Sequence, residues 1–520
     1  MSRLNVHNIT QSISSLTSRL SVPGIDIMRR SIERLSNILF KPKAPQLKRE
    51  LSLVASVNLI VNGTIGSGIF VTPGIVLIHA GSVGMSLVIW AICGGISVLG
   101  ALAFAELGMV IPKSGGQYAF FQAAFRDLHP FYGPITGFIY VWINVLVVYP
   151  ATLAIFCYTF TEYIHQPLVS MFNADLDEVT EDNVKFLIRF LALGIMGYIN
   201  LVSVKLYVSV QNLFSYLKLS ICAMVILGAV YVQLTGQAKD LPLGFEGTNF
   251  STKALIMAFY SGLYTFDGWC IVTGVTEEIK DPDRNVLRSI LIAVPMVTGL
   301  YLSMNLAYLT MLTIPQMVSE PAVAVAFGDL VFGQWKLVIC LGVAFSAFGS
   351  GLCNVFAASR LCYVAAREGQ LCESFSYIHM DKLTPVPAIL VQIGLTGLFL
   401  LSGDMVSLIN FSNFLLWIFY GLTMITVFVL RKTKPDANRS YQVPLWIPAI
   451  VMAIALLLAI IPLVTQPPLQ YLVALAFIGF GVVIYYPFVY KQKRLPYMDA
   501  FTYFTQVLFE VVPTADPDVL

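Results

Sequence analysis

The chain has 520 residues, of which 57% are hydrophobic and only 12% charged. A soluble domain carries about 25% charged residues, so this composition excludes an ordinary soluble protein. The net charge of +2 adds nothing about partners, and no nucleic-acid partner is expected.

The first 48 residues are Ser-rich and basic, with Arg29, Arg30, Arg34, Lys43 and Lys48 among their cations. They hold no apolar core followed by a small-residue cleavage site, so no cleaved leader is expected and the first span serves as the signal. Asp26 and Glu33 argue against a mitochondrial presequence. We read 1–48 as a cytoplasmic tail.

About twelve apolar stretches of membrane-spanning length follow. They cover 51–78, 84–110, 134–161, 184–204, 211–234, 254–276, 288–313, 334–361, 386–402, 405–430, 444–464 and 469–490. Every second loop is basic, whereas the loop 162–183 is acidic, with Asp175, Asp177, Glu178, Glu181 and Asp182. The positive-inside rule then puts both termini in the cytoplasm. The predicted fold is all-α and polytopic, a transmembrane domain over 49–492 followed by a cytoplasmic tail over 493–520.

The first span is interrupted by Gly63, Gly66 and Gly68 in "GTIGSGIFVTPG", and the sixth by Ser261, Gly262, Thr265, Asp267 and Gly268 in "YSGLYTFDGW". Glycine costs roughly 1 kcal/mol inside a helix, and hydrocarbon satisfies no exposed peptide group. Close helix packing through small residues explains one such break. Two breaks at corresponding places favour an inverted repeat, five spans per copy, about 51–234 and about 254–430, with two further helices over about 444–490. A ligand site then lies between the breaks. Free N–H groups of Gly66, Ser67 and Gly68 suit a carboxylate; carbonyls of Thr64, Ile65, Tyr264 and Thr265 suit an ammonium. Together they form a clamp for a zwitterion.

The eight cysteines are scattered singly, none in an outer loop, and the five histidines are equally dispersed. No disulfide framework, metal site or cofactor is expected, and the chain is read as a carrier rather than an enzyme.

These segments, with "ALAFAELGMVIPKSGGQYAF", "VTEEIKDPDRNV", "FGSGLCNVFAASRLCYVAAREGQL" and "LTPVP", resemble in order the light-chain subunits of the heteromeric, L-type amino acid transporters. That family belongs to the amino acid-polyamine-organocation superfamily and has the LeuT-type fold. The resemblance runs over about 50–495 and implies sodium-independent exchange of L-amino acids across the plasma membrane. It implies carboxylate binding at Gly66, Ser67 and Gly68, and amine binding by the carbonyls of Thr64, Tyr264 and Asp267. It makes Tyr264 the aromatic that closes over the substrate. Asn354, Phe414 and Trp417 become candidate pocket walls, although Trp417 is equally explained by packing. Arginines that serve anionic substrates in one such light chain match Tyr149 and Leu416 here, so a glutamate exchanger is not expected.

Two intramembrane charges have two readings each. Lys218 either snorkels to the cytoplasmic face or stands in place of a sodium ion beside the first break, as the superfamily resemblance implies. Asp267 either caps the half-helix after it or faces the substrate and favours cationic side chains. Glu277 and Arg367 form an inner gate or merely end helices in water, and Glu106 is as open. The light chains' heavy-chain cysteine is missing, because the loop 162–183 contains none and Cys157 lies inside a span. A covalent heavy-chain partner is therefore not expected. The terminal "ADPDVL" fits a PDZ groove by strand addition. The competing readings are a proton-coupled amino acid or polyamine symporter and a non-transporting amino acid sensor.

Overall fold

The computed structural model describes residues 51–111, 115–172, 177–238, 244–276, 279–319, 323–333, 336–402, 405–437, 439–465, 469–493 and 498–513. The amino-terminal tail, the terminal "ADPDVL" and Glu277 lie outside them.

Ser52 opens α1 (Leu53–Thr64) by accepting the Ala55 N–H on its hydroxyl. α2 (Gly68–Ala80) follows after a bend of 50°. α3 (Val83–Val110) crosses back, and the short α4 (Gln117–Phe125) leads into α5 (Tyr132–Ile143). A π turn over Asn144–Val148 joins α5 to α6 (Tyr149–Phe172). Its cause is Pro150, which has no N–H to give and displaces the carbonyl four residues back. α7 (Glu178–Val202) and α8 (Val204–Leu234) complete the first repeat.

The second repeat starts with α9 (Thr252–Thr265), a non-helical turn, and the single turn α10 (Ile271–Gly274). α11 (Pro282–Leu309) follows, then the short α12 (Ile314–Ser319) and α13 (Val323–Phe332), then α14 (Lys336–Arg367). Strand β1 (Tyr377–His379) precedes α15 (Val386–Ser402) and α16 (Met405–Thr433). α17 (Trp446–Thr465) and α18 (Leu469–Tyr485) stand outside the repeats. α19 (Met498–Phe509) and β2 (Val511–Pro513) close the described chain.

Among the described residues nine helices are long and apolar enough to span a membrane alone. The bent pair α1/α2, the interrupted α9/α10 and the shorter α15 make up the predicted set of twelve. The protein is thus a polytopic, all-α membrane protein with an inverted five-span repeat and broken first and sixth spans. Three features lay outside the sequence reading: the π turn in the third span, the helices α12 and α13, and the folding of 498–513 onto the body. The packed unit runs from Arg49 to Pro513, past the expected boundary at 492.

The half-helices α2 and α9 are packed shut against their neighbours. Tyr163 donates to the Phe70 carbonyl at 2.9 Å, and the hydroxyls of Thr72 and Thr265 meet at 2.7 Å. Asn413 donates to the Tyr260 carbonyl at 2.9 Å, and the Tyr260 hydroxyl donates to Leu458. At the opposite end the chain before α1 bridges the chain before α11, with Lys280 N–H donating to the Leu51 carbonyl at 2.9 Å.

Glu106, ambiguous in sequence, is a structural tie near that same end. It is 2% exposed, accepts two Arg431 N–H bonds at 2.9 and 2.6 Å, and accepts the Val443 N–H at 2.8 Å. It fastens α3 to α16 and to the chain entering α17. Arg367 is exposed, with its guanidinium 5.7 Å from the Tyr363 ring centroid.

Candidate functional site

The two breaks meet in the middle of the bundle, and glycine lets them. A Cβ on Gly268, which has φ +111°, would lie 2.6 Å from the carbonyl of Gly63. A Cβ on Gly68 would lie 2.8 Å from the Thr265 hydroxyl oxygen. Any side chain at either position pushes the break segments apart.

Counting backbone partners revises the donor set. The Gly66 N–H turns back onto the Thr64 carbonyl at 2.9 Å and is not free. Among the described residues the N–H groups of Ser67, Gly68 and Ile69 have no acceptor, as the first turn of a helix leaves them. The unpartnered N–H groups at the start of α2 therefore lie one residue further along the chain than the expected trio Gly66, Ser67 and Gly68.

The acceptor set is revised further. The Thr64 carbonyl takes Gly66 N–H and also the Tyr301 hydroxyl at 2.8 Å, so both its lone pairs are used. The same hydroxyl reaches the Thr265 carbonyl at 3.1 Å. The Ile65 carbonyl takes the Lys218 ammonium, and that of Tyr264 takes the Asp267 N–H at 3.2 Å. Among the described residues no donor reaches the carbonyls of Phe266 and Asp267. The carbonyls of Thr64, Ile65, Tyr264 and Thr265 thus each already accept a bond within the protein, whereas those of Phe266 and Asp267 accept none among the described residues.

Lys218 does not snorkel. It is fully buried, and Nζ donates to the carbonyls of Asn62 at 3.1 Å and Ile65 at 2.9 Å and to Ser350 Oγ at 3.4 Å. The three N–H bonds of the ammonium thus meet three oxygens, two beside the first break and one on α14. Ser346, one turn before Ser350, donates to the Gly66 carbonyl at 3.4 Å.

The Asp267 carboxylate accepts the Tyr420 hydroxyl at 2.5 Å. Tyr420 in turn stacks against Trp269, with Trp417 edge-on at 5.5 Å. Trp417 therefore packs behind Tyr420, one layer from the break. Phe414 is fully buried and lies on Tyr471 of α18 at 4.9 Å, so it joins α16 to α18 and is not a pocket wall. Asn354 is half-buried, and its side-chain carbonyl oxygen has no partner. The Thr64 hydroxyl is likewise buried and unpartnered.

Tyr264, Asp267, Gly268 and Asn354 all retain accessible surface, although α2 and α9 are closed over them. Tyr149 does too, because the π turn immediately before it rotates the helix face. Sequence reasoning missed Tyr301, which stitches the two breaks together, and its surroundings: Trp90 and Phe266 pack on its ring at 5.8 and 4.9 Å. The site presents three N–H groups on one break and two carbonyls plus a tethered carboxylate on the other.

The amino acid permease family model matches residues 51–488. The chain is 37% identical over 497 residues to the mouse b(0,+)-type amino acid transporter 1, covering 95% of this chain and 99% of that protein. It is 36% identical over 478 residues to the human cystine/glutamate transporter, covering 91% and 92%. It is also 36% identical over 425 residues to the mouse Asc-type amino acid transporter 1, covering 81% and 78%. A family match across both broken spans, and relatives aligned along nearly the whole length, place the chain in the amino acid permease family.

Proposed function

We propose that this permease exchanges neutral L-amino acids, and cationic ones as well, across the plasma membrane by alternating access and without sodium. The observation that carries it is the pair of facing breaks: the free N–H groups of Ser67, Gly68 and Ile69 suit the substrate carboxylate, and the free carbonyls of Phe266 and Asp267 suit its ammonium. No other solute satisfies both ends as well as a zwitterion with one carbon between its charges. Tyr264, Asn354 and Tyr149 are the side chains placed to meet the variable group. Sodium independence rests on the Lys218 ammonium, which fills the oxygen cage that a metal ion would need.

The Asp267 carboxylate is held by one hydrogen bond from Tyr420, which leaves its remaining lone pairs to receive a cationic side chain while a neutral one is not repelled. Among the described residues no arginine stands beside the site to pair an acidic side chain, so an acidic substrate is disfavoured by the cost of desolvating it. The relatives include proteins named as b(0,+)-type and Asc-type amino acid transporters, which supports an amino acid cargo.

Both termini are cytoplasmic in this reading, so α2 and α9 form the outer half of the path and α1 and α10 the inner half. Cys157 is buried within α6, so a covalent heavy chain has no thiol to reach on the outer surface near the loop 162–183. The terminal "ADPDVL" is the proposed ligand for a PDZ partner.

Purified full-length protein in vesicles tests this. Uptake of labelled neutral amino acid should require unlabelled amino acid inside, be unchanged when sodium replaces choline, and be competed by neutral and cationic but not acidic L-amino acids. Uptake into empty vesicles driven by a pH gradient would replace the exchanger with a proton-coupled symporter. Binding without any movement of label would replace it with a sensor.

A further inference from the structure

The helix α19 is built inside out for a helix in water. Its polar side faces the protein: Thr505 is 5% exposed, and Thr502 meets the Ser374 hydroxyl at 3.2 Å. Its outward side is apolar, with Phe501, Tyr503, Phe504, Val507 and Leu508 exposed by 46% to 69%. Phe501, Phe504 and Leu508 recur at the helical spacing i, i+3, i+7 and form one stripe. Its ionisable charges, Asp499 and Glu510, sit at the two ends. Water is a poor medium for that stripe, since burying one such side chain is worth about 1.5 to 3 kcal/mol.

The helix is also held firmly in place. β2 pairs antiparallel with β1, His379 opposite Val511 and Tyr377 opposite Pro513. Phe509 packs into a small cluster with Tyr377, Val386 and Val511, and Met498 touches Cys372 at 3.6 Å. The exposed stripe is thus fixed in direction.

What lies beneath it is set by α18. That span leaves the bilayer through the π turn Tyr486–Tyr490, and the Lys491 ammonium lies 5.9 and 5.6 Å from the centroids of those two rings. Aromatic rings beside a cation mark the headgroup level. From Tyr490 to Met498 is eight residue steps, a reach of at most about 28 Å. The stripe therefore continues, within one short link, the lipid-facing surface that α18 already presents through Val483 and Tyr486.

From this continuity we infer that α19 lies in the headgroup–acyl boundary of the leaflet where α18 exits, with its apolar stripe among the lipids. Through the β1·β2 ribbon it anchors the connection between α14 and α15 to the membrane surface. Because the outward face carries no cation, zwitterionic lipid is a sufficient partner.

The test replaces Phe504 with the photoreactive p-benzoylphenylalanine, whose added benzoyl group the exposed position accommodates, in the full-length protein reconstituted in phosphatidylcholine vesicles. After irradiation, mass spectrometry should find lipid adducts on the segment that contains position 504. The same replacement at Phe509 should give adducts within the chain and none to lipid. A chain-to-chain adduct at 504 would make the stripe a contact between copies and overturn the inference. Absence of lipid adducts at 504, with intrachain adducts at 509 intact, would overturn it equally.

Discussion

Replacing Tyr301 by Phe removes one oxygen atom and leaves the ring in its place between Trp90 and Phe266. That oxygen holds two carbonyls on two different breaks, Thr64 at 2.8 Å and Thr265 at 3.1 Å. Thr64 keeps its bond from the Gly66 N–H, whereas Thr265 is left without a donor among the described residues. One buried acceptor without a partner costs about 1 to 3 kcal/mol. The loss falls on the relative position of the ends of α1 and α9, which sets the spacing of the two breaks that a bound zwitterion must span. If it is borne wholly by the substrate-bound state, half-saturation in vesicle exchange should rise by roughly 5- to 150-fold. The assay is concentration-dependent uptake of a labelled neutral amino acid, normalised to protein recovered by size exclusion. Folded Tyr301→Phe protein with half-saturation within twofold of the parent would refute the claim that this hydroxyl sets the spacing of the clamp.

Lys218→Met keeps the length of the side chain but strips three donors from the first break, each bond to a charged group being worth about 1.5 to 3 kcal/mol. Exchange should fall roughly tenfold or more, offset in part by the removal of a buried charge, and persistence of full exchange in vesicle uptake would contradict the cage. Gly268→Ala sets a methyl carbon 2.6 Å from the Gly63 carbonyl at φ +111°. With about 1 to 3 kcal/mol of backbone strain added to that clash, transport should be abolished, as read by vesicle exchange on whatever folded protein is recovered. Glu106→Gln breaks a buried ion pair with Arg431, a change that costs about 3 to 5 kcal/mol, and the melting transition in detergent should drop while the substrate preference order stays as it was.

Much of the architecture was legible because a bilayer punishes exceptions. Gly66 and Gly268 stand out in their spans since an unwound peptide has no water to bond with, and Lys218 stands out for the same reason. What stayed hidden depends on single backbone bonds. The turn of Gly66 onto Thr64 leaves the unpartnered N–H groups at Ser67, Gly68 and Ile69, and no pattern of residue types encodes that. Tyr301 reads in sequence as one more aromatic in an apolar span; only its position opposite both breaks gives it a role. Phe414 was misplaced because the helical phase of a span does not say which neighbour each face meets. Tyr149 owes its place to a π turn, for which Pro150 was the one visible signal. The segment 498–513 was hidden for a different reason, since a helix that packs its threonines inward and turns phenylalanines outward defies the usual reading of amphipathicity.

The ammonium of Lys218 has a thermodynamic consequence. A cation bonded to the chain is never released on either side, so a cycle built on it cannot draw work from an ionic gradient through that position. In the proposed exchange the direction of traffic is then set by the composition of the two pools and by the voltage across the membrane. When a cationic amino acid trades with a neutral one, one elementary charge crosses, and the membrane potential adds about 2.3 kcal/mol per 100 mV to that trade. Voltage then acts as a sorting force, drawing basic amino acids toward the negative compartment and neutral ones away from it.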